Sequence, residues 1–225
     1  MDFDQKSART TNDPDPQPVR DGAAPVPAPM THRGVVYLIV MWVFVNPFYR
    51  LFYRVRVEGR ENLPEGGALL AANHESFLDI PLVSNAAGPR HVAFVARDTL
   101  ANSRILDFIM LHCGAVLLRR GTSDRKALRQ MADHLRAGDY VGVFPEGTRS
   151  RDGQLGTFKG GVLLAAKTTG VPVVPIGIAG SFEIWPRHRK LPGRGRLIAR
   201  IGKPIDVSQP NALEHLRAAI EKLAQ

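Results

Sequence analysis

Two short stretches carry residue types able to do chemistry together: Asn73-His74-Glu75-Ser76-Phe77-Leu78-Asp79 and Phe144-Pro145-Glu146-Gly147-Thr148-Arg149. The first supplies a general base, His74, with a carboxylate, Asp79, to orient it. The second supplies a glycine-opened loop with a cation, Arg149, to hold an anionic substrate. In combination they point to acyl transfer onto a hydroxyl of a phosphate-bearing acceptor.

Spacing alone does not establish this, because the chain repeats it: His134 is also followed five residues later by an aspartate, Asp139. That pair falls where residues 123–137 read as an amphipathic helix, with Leu128, Met131, Ala132 and Leu135 on one face. Gly138 suits its C-cap, so His134 reads as a surface residue near a helix C-terminus, where a partly cationic ring complements the dipole. His74 differs in what precedes it. Residues 67–72, Gly-Ala-Leu-Leu-Ala-Ala, form an apolar run consistent with a buried parallel strand. Catalytic groups of open α/β sheets collect beyond such strand ends. A helix starting near Ser76 or Asp79 turns the chain so that Asp79 can fold back on the imidazole, fix its tautomer and stabilise the imidazolium. The alternative is a histidine capping a helix, with Asp79 as an ordinary first-turn acid.

The second stretch follows another apolar run, residues 139–144. Pro145 stops the ladder and Gly147 permits positive φ or close approach. Arg149 offers a bidentate fork for phosphate, Thr148 and Ser150 add hydroxyls, and Lys159 opens the next apolar helix, an anion-favouring place. A solvated basic turn is the competing account.

These motifs resemble those of the glycerolipid acyltransferase family typified by 1-acylglycerol-3-phosphate acyltransferases. His74, Ser76 and Asp79 match the first motif, and Gly114 to Arg120 the second, with Arg119 where members often carry aspartate. Phe144 to Ser150 matches the third intact, followed by Phe158-Lys159-Gly160, and Val171-Pro172-Val173-Val174-Pro175-Ile176 matches the fourth. The four cover roughly residues 55–205 in order. The resemblance implies a direct mechanism in which His74 and Asp79 are catalytic. It also implies that Arg120, Glu146, Gly147, Thr148, Arg149 and Lys159 bind the acceptor phosphate. The partners expected are a membrane lipid, lysophosphatidate and either acyl-CoA or acyl-carrier protein as co-substrate, with no metal and no tightly bound cofactor. Cys113, the only cysteine, sits in an apolar context and reads as packing rather than nucleophile. There is no Gly-x-Ser-x-Gly elbow, P-loop or clustered His/Cys pattern.

The elements that must position these residues alternate. Strands are expected at 92–96, 115–119, 139–144, 172–178 and 196–202, and helices near 99–111, 123–137, 158–169 and 211–225. This rhythm predicts an α/β fold, a single domain over residues 55–225 with a mostly parallel or mixed sheet flanked by helices. At 225 residues and 44% hydrophobic, the chain can bury a substantial core. Its single cysteine fits a reducing compartment. Residues 1–33, with five acids, four bases and a Pro/Ala-rich stretch, read as a disordered tail without signal-peptide features.

Within residues 34–54 the uninterrupted apolar run is Val35 to Val45; Pro47 interrupts it, and it is shorter than the roughly 20 residues a span requires. They read as interfacial or re-entrant helices anchored by Trp42, Tyr49 and Tyr53, with a core helix as the alternative. The net charge of +9 includes an acid-free run from Arg187 to Lys203 suited to anionic headgroups, a nucleotide-bearing thioester or an acidic carrier. No motif supports nucleic-acid binding. The expected location is the cytoplasmic face of the cell membrane, peripheral or monotopic. Another lysophospholipid or glycerol 3-phosphate is the alternative acceptor, and a catalytically silent anionic-lipid binder is the rival function.

Overall fold

The computed structural model describes residues 37–97, 116–118 and 125–225. The tail at 1–33, the expected helix at 99–111, Cys113 and the second motif with Arg120 lie outside the described residues, apart from the strand within that motif.

Seven strands form one mixed sheet: β1 (Arg56–Glu58), β2 (Ala68–Ala72), β3 (Val92–Arg97), β4 (Val116–Leu118), β5 (Tyr140–Val143), β6 (Val173–Ala179) and β7 (Ile198–Ile201). Their order is β1-β7-β6-β2-β5-β3-β4. All neighbours run parallel except β6 and β7. β2 sits in the middle because its five residues, Ala68 to Ala72, are apolar on both faces and fully buried. Alternation then splits them: Ala68, Leu70 and Ala72 face one layer, Leu69 and Ala71 the other. The first layer contains α2 (Asp79–Ala86), through Leu82, Val83 and Ala86, and the N-terminal helical segment. The second contains α3 (Arg125–Arg136), α4 (Leu164–Thr169) and α6 (Ala212–Leu223). Each fully buried leucine contributes roughly 1.5–3 kcal/mol through removal from water. A short helix, α5 (Ser181–Ile184), follows β6.

The N-terminal segment is continuous rather than broken at Pro47. A π-helical turn, Val40–Val45, runs into α1 (Asn46–Tyr53), with Pro47 in the first turn of α1. Proline lacks an N–H and its ring crowds the carbonyl four residues back; the wider turn makes room for both. The segment has two faces. Tyr37, Met41, Asn46, Tyr49 and Tyr53 are buried against the domain, where Asn85 Nδ2 donates to Asn46 Oδ1 and Tyr49 donates to the Leu78 carbonyl at 3.1 Å. Tyr49 and Tyr53 are therefore core residues, correcting their expected place at lipid headgroups; their rings take the inward i and i+4 positions. Trp42, Val43, Phe44, Phe48, Leu51 and Phe52 are exposed on the other face. Among the described residues, no helix is long and apolar enough to cross a membrane.

The parallel pairing of β2 with β5 places their C-terminal ends side by side, with His74 two residues beyond one and Phe144 directly beyond the other.

Candidate active site

Beyond β2, Asn73 continues the sheet with its side chain. Its Nδ2 donates to the Ile178 carbonyl at 2.9 Å and its Oδ1 accepts from Ile178 N at 2.7 Å. This amide stands in for a strand residue while the main chain turns away. Asp79, the first residue of α2, then points back into the turn. Its Oδ2 accepts from Glu75 N and Ser76 N, both at 2.7 Å, and lies 2.9 Å from His74 Nδ1. Asp79 is fully buried, while the His74 side chain keeps 13% of its exposure. Two amide donors preset the carboxylate before the imidazole meets it, so the Nδ1–H tautomer is the one that donates here. His74 Nε2 has no hydrogen-bond partner among the described residues.

The other pair at the same spacing makes the same contact: His134 Nδ1 lies 2.8 Å from Asp139 Oδ2. Burial opposes ionisation of Asp139, but hydrogen bonds from His134 and His91 outweigh it and hold the carboxyl well below the usual range. Distance therefore does not separate the two pairs. Position does: His74 follows the C-terminal end of a central strand, whereas Asp139 precedes the N-terminal end of β5.

The loop after β5 clamps the histidine. Glu146 Oε1 accepts from His74 N at 2.8 Å, Glu146 Oε2 accepts from Gly156 N at 2.9 Å, and Ser150 N donates to the His74 carbonyl at 2.7 Å. Glu146 was expected among the substrate contacts. It is 7% exposed with both oxygens accepting backbone amides, so it braces the turn that carries His74. Burial lifts its pKa, opposed by those two amide bonds and by His74. Phe144 stacks on the His74 ring with centroids 3.9 Å apart, and Phe94 stacks behind Phe144 at 6.2 Å. Gly142 makes that possible: a Cβ there would lie 2.5 Å from the Phe94 ring.

The cations gather on the same side. Gly147 has φ +66°, and a Cβ on it would meet Lys159 Nζ at 2.7 Å, so the lysine lies across the loop. The Arg149 guanidinium covers the Phe77 ring, 3.7 Å from its centroid. Burial, then the Arg187 guanidinium, lower the pKa of Arg149, while the charge of Asp79 opposes them. Two like charges thus face a site that also feels the Asp79 carboxylate, an arrangement that suits a phosphate dianion. Thr148 is exposed on this loop. Within the acid-free basic run, Arg200 is 3.3 Å from Glu58 and donates to the Leu223 carbonyl, so it is not available to a ligand in the way Arg187 is.

Glu75, Phe77 and Phe144 carry no role in the sequence reading, and Arg187 enters it only as part of the acid-free basic run. Glu75 is the notable omission. Burial, then the Asp79 charge, push its carboxyl up to about 7, despite hydrogen bonds from Asn73 and Phe182 N. A glutamate beside a histidine reads as an ordinary turn acid, and nothing in its spacing reports burial.

Known proteins resemble this chain in sequence and in fold. The family model "Acyltransferase" matches residues 54–179. A chloroplastic 1-acyl-sn-glycerol-3-phosphate acyltransferase of Arabidopsis thaliana is 34% identical over 182 residues, which are 79% of this chain and 50% of that protein. A probable 1-acyl-sn-glycerol-3-phosphate acyltransferase of Mycoplasma pneumoniae is 31% identical over 177 residues, 73% of this chain and 62% of the relative. The match thus spans only half to two thirds of these relatives' length. The crystal structure of the 1-acyl-sn-glycerophosphate acyltransferase PlsC from Thermotoga maritima superposes with a TM-score of 0.71 at 33% identity, covering 85% of this chain and 78% of that one.

Proposed function

This chain belongs to the acyltransferase family, and from that premise we propose that it moves an acyl chain from an acyl thioester to the free hydroxyl of a 1-acylglycerol 3-phosphate, giving phosphatidate. The observation that carries the reading is the His74–Asp79 pair, its Nε2 open and its Nδ1 2.9 Å from a buried carboxylate, beside Arg149 and Lys159. His74 Nε2 takes the proton of the acceptor hydroxyl as the oxygen attacks the thioester carbonyl. Asp79 stabilises the resulting imidazolium. Collapse of the tetrahedral intermediate breaks the C–S bond, and the thiolate leaves as a thiol with the proton that His74 had taken. General-base help of this kind contributes on the order of 10²–10⁴-fold.

Arg149, Lys159 and Arg187 hold the acceptor phosphate, with Gly147 and Thr148 shaping the loop. Glu146 acts through His74 as a positioning residue. The exposed face of residues 39–52 rests in the outer part of a bilayer leaflet, at the cytoplasmic surface of the cell membrane. A cavity of about 600 Å³ beside it is lined by Leu51, Phe52, Arg54, Arg194, Gly195 and Arg196, apolar and cationic together, as an anionic lipid surface requires.

The test is product identity. Purified protein in liposomes is given acyl-CoA or acyl-carrier protein with lysophosphatidate, other lysophospholipids or glycerol 3-phosphate, and the lipids are resolved by mass. Phosphatidate formed preferentially from lysophosphatidate supports the assignment, and the donor turned over fastest identifies the thioester. Turnover with another acceptor alone reassigns the substrate, and none with any pair points to the silent lipid binder.

A further inference from the structure

At the opposite end of the sheet from His74, three ligand-type side chains converge. His91 directly precedes β3, Asp139 directly precedes β5, and His134 lies in the last turn of α3. One ligand atom from each lies within 4.8 Å of the others. Asp139 Oδ2 is 2.8 Å from His134 Nδ1 and 3.5 Å from His91 Nδ1. We propose that His91, His134 and Asp139 form a Zn²⁺ site, completed by water, that clips β3, α3 and β5 together.

The donor set is borderline in softness, two imidazoles and a carboxylate, which suits zinc and its substitute cobalt. Tetrahedral bonds of about 2.0–2.2 Å place ligand atoms roughly 3.3 Å apart. Two of the three separations are already near that value, and side-chain rotation closes the remainder. The backbone is preset by the same residues: Asp139 N donates to the His134 carbonyl at 3.0 Å and Tyr140 N to the His91 carbonyl at 3.2 Å. The His91 ring packs edge-on against Tyr37, centroids 5.0 Å apart, which limits its rotation. The three side chains keep 14%, 29% and 32% of their exposure for His91, His134 and Asp139, enough for an ion with its water to enter. Arg90, the neighbouring cation, is committed to the carbonyls of Pro64, Gly66 and Gly138. The sequence did not suggest a metal because His91 lies far from the other two along the chain.

The experiment titrates the tag-free full chain with Co²⁺, following its visible d–d absorption, and then displaces it with Zn²⁺. The wild type is expected to bind one saturating equivalent with the intense spectrum of a four-coordinate ion. Second-shell losses weaken metal sites 10–100-fold, and Asp139→Asn or His134→Gln, which remove a ligand, should weaken binding by at least about that much. His74→Gln should bind normally, because the catalytic pair is at the other end of β2 and β5. Zn²⁺ should raise the melting temperature of the wild type and leave that of Asp139→Asn unchanged. Absence of saturable binding to the wild type would overturn the proposal, as would binding that survives both ligand substitutions or disappears in His74→Gln. A cooperative thermal unfolding transition in metal-free His134→Gln shows that the variant is folded, so its loss of binding counts.

Discussion

Replacing Glu75 by glutamine should change how stability depends on pH, in a direction set by the site. Burial and the Asp79 charge raise the Glu75 carboxyl from 4.5 to about 7. An acid whose folded pKa is raised binds its proton more tightly folded than unfolded, so stability falls as pH rises from 4.5 to 7. The penalty is absent below the lower value and complete above the higher. At roughly 1.4 kcal/mol per pH unit it amounts to about 1 kcal/mol at pH 5 and about 3 kcal/mol at pH 8, an upper figure because the side chain is not wholly buried. Glutamine removes the charge but carries a fault of its own. Asn73 Nδ2 donates to Glu75 Oε1 at 3.0 Å, Ser181 Oγ approaches Oε2, and Phe182 N also donates to the carboxyl. One end of the amide then meets a donor with a donor, at about 1–3 kcal/mol whatever the pH. The sign at any single pH therefore decides nothing; the slope does. Thermal unfolding of both proteins between pH 5 and pH 8 should show Glu75→Gln gaining about 2 kcal/mol relative to the wild type, or roughly 4–8 °C for a chain of this size. A difference that stays flat, or that grows toward acid, would refute the burial argument.

The same turn gives two more expectations. Asp79→Asn keeps an oxygen for Glu75 N and Ser76 N but removes the charge that supports the imidazolium, so kcat should fall on the order of 10²–10⁴-fold with KM for the acceptor little changed; steady-state kinetics checks both. In an Asp79→Asn background the Glu75→Gln effect should shrink, since Asp79 supplies part of the upward push on Glu75. Glu146→Gln sets an amide NH₂ against His74 N or Gly156 N, which should lower stability by about 1–3 kcal/mol in denaturant unfolding. As a brace it should lower kcat and leave acceptor KM in place, whereas a phosphate contact would move KM.

Much of the scaffold was legible because its signals are local. The runs at 68–72, 140–143 and 173–179 are apolar on both faces, as strands covered by helices on both sides require, and α3 shows a clean apolar stripe. β1 was missed because three residues, Arg56 to Glu58, carry no pattern; its place comes from pairing with β7 far along the chain. Tyr49 and Tyr53 were misplaced for a related reason. In a helix rich in aromatics on every side, composition does not say which rings turn inward. The His74–Asp79 pair was legible through its strand-end position, not its spacing, as the identical contact of His134 with Asp139 shows. Glu146 was not legible as a brace, since both its partners are backbone amides that only the fold brings near.

The central claim is that His74 removes the acceptor's proton in acyl transfer. Acceptor-dependent thiol release by wild type and His74→Ala, in liposomes with the thioester that turns over fastest, tests it most directly. The account predicts a rate lower by about a hundredfold or more in the variant, the lower end for losing a general base, with folding and membrane binding retained. Equal rates in the two proteins would contradict it and remove His74 from the chemistry.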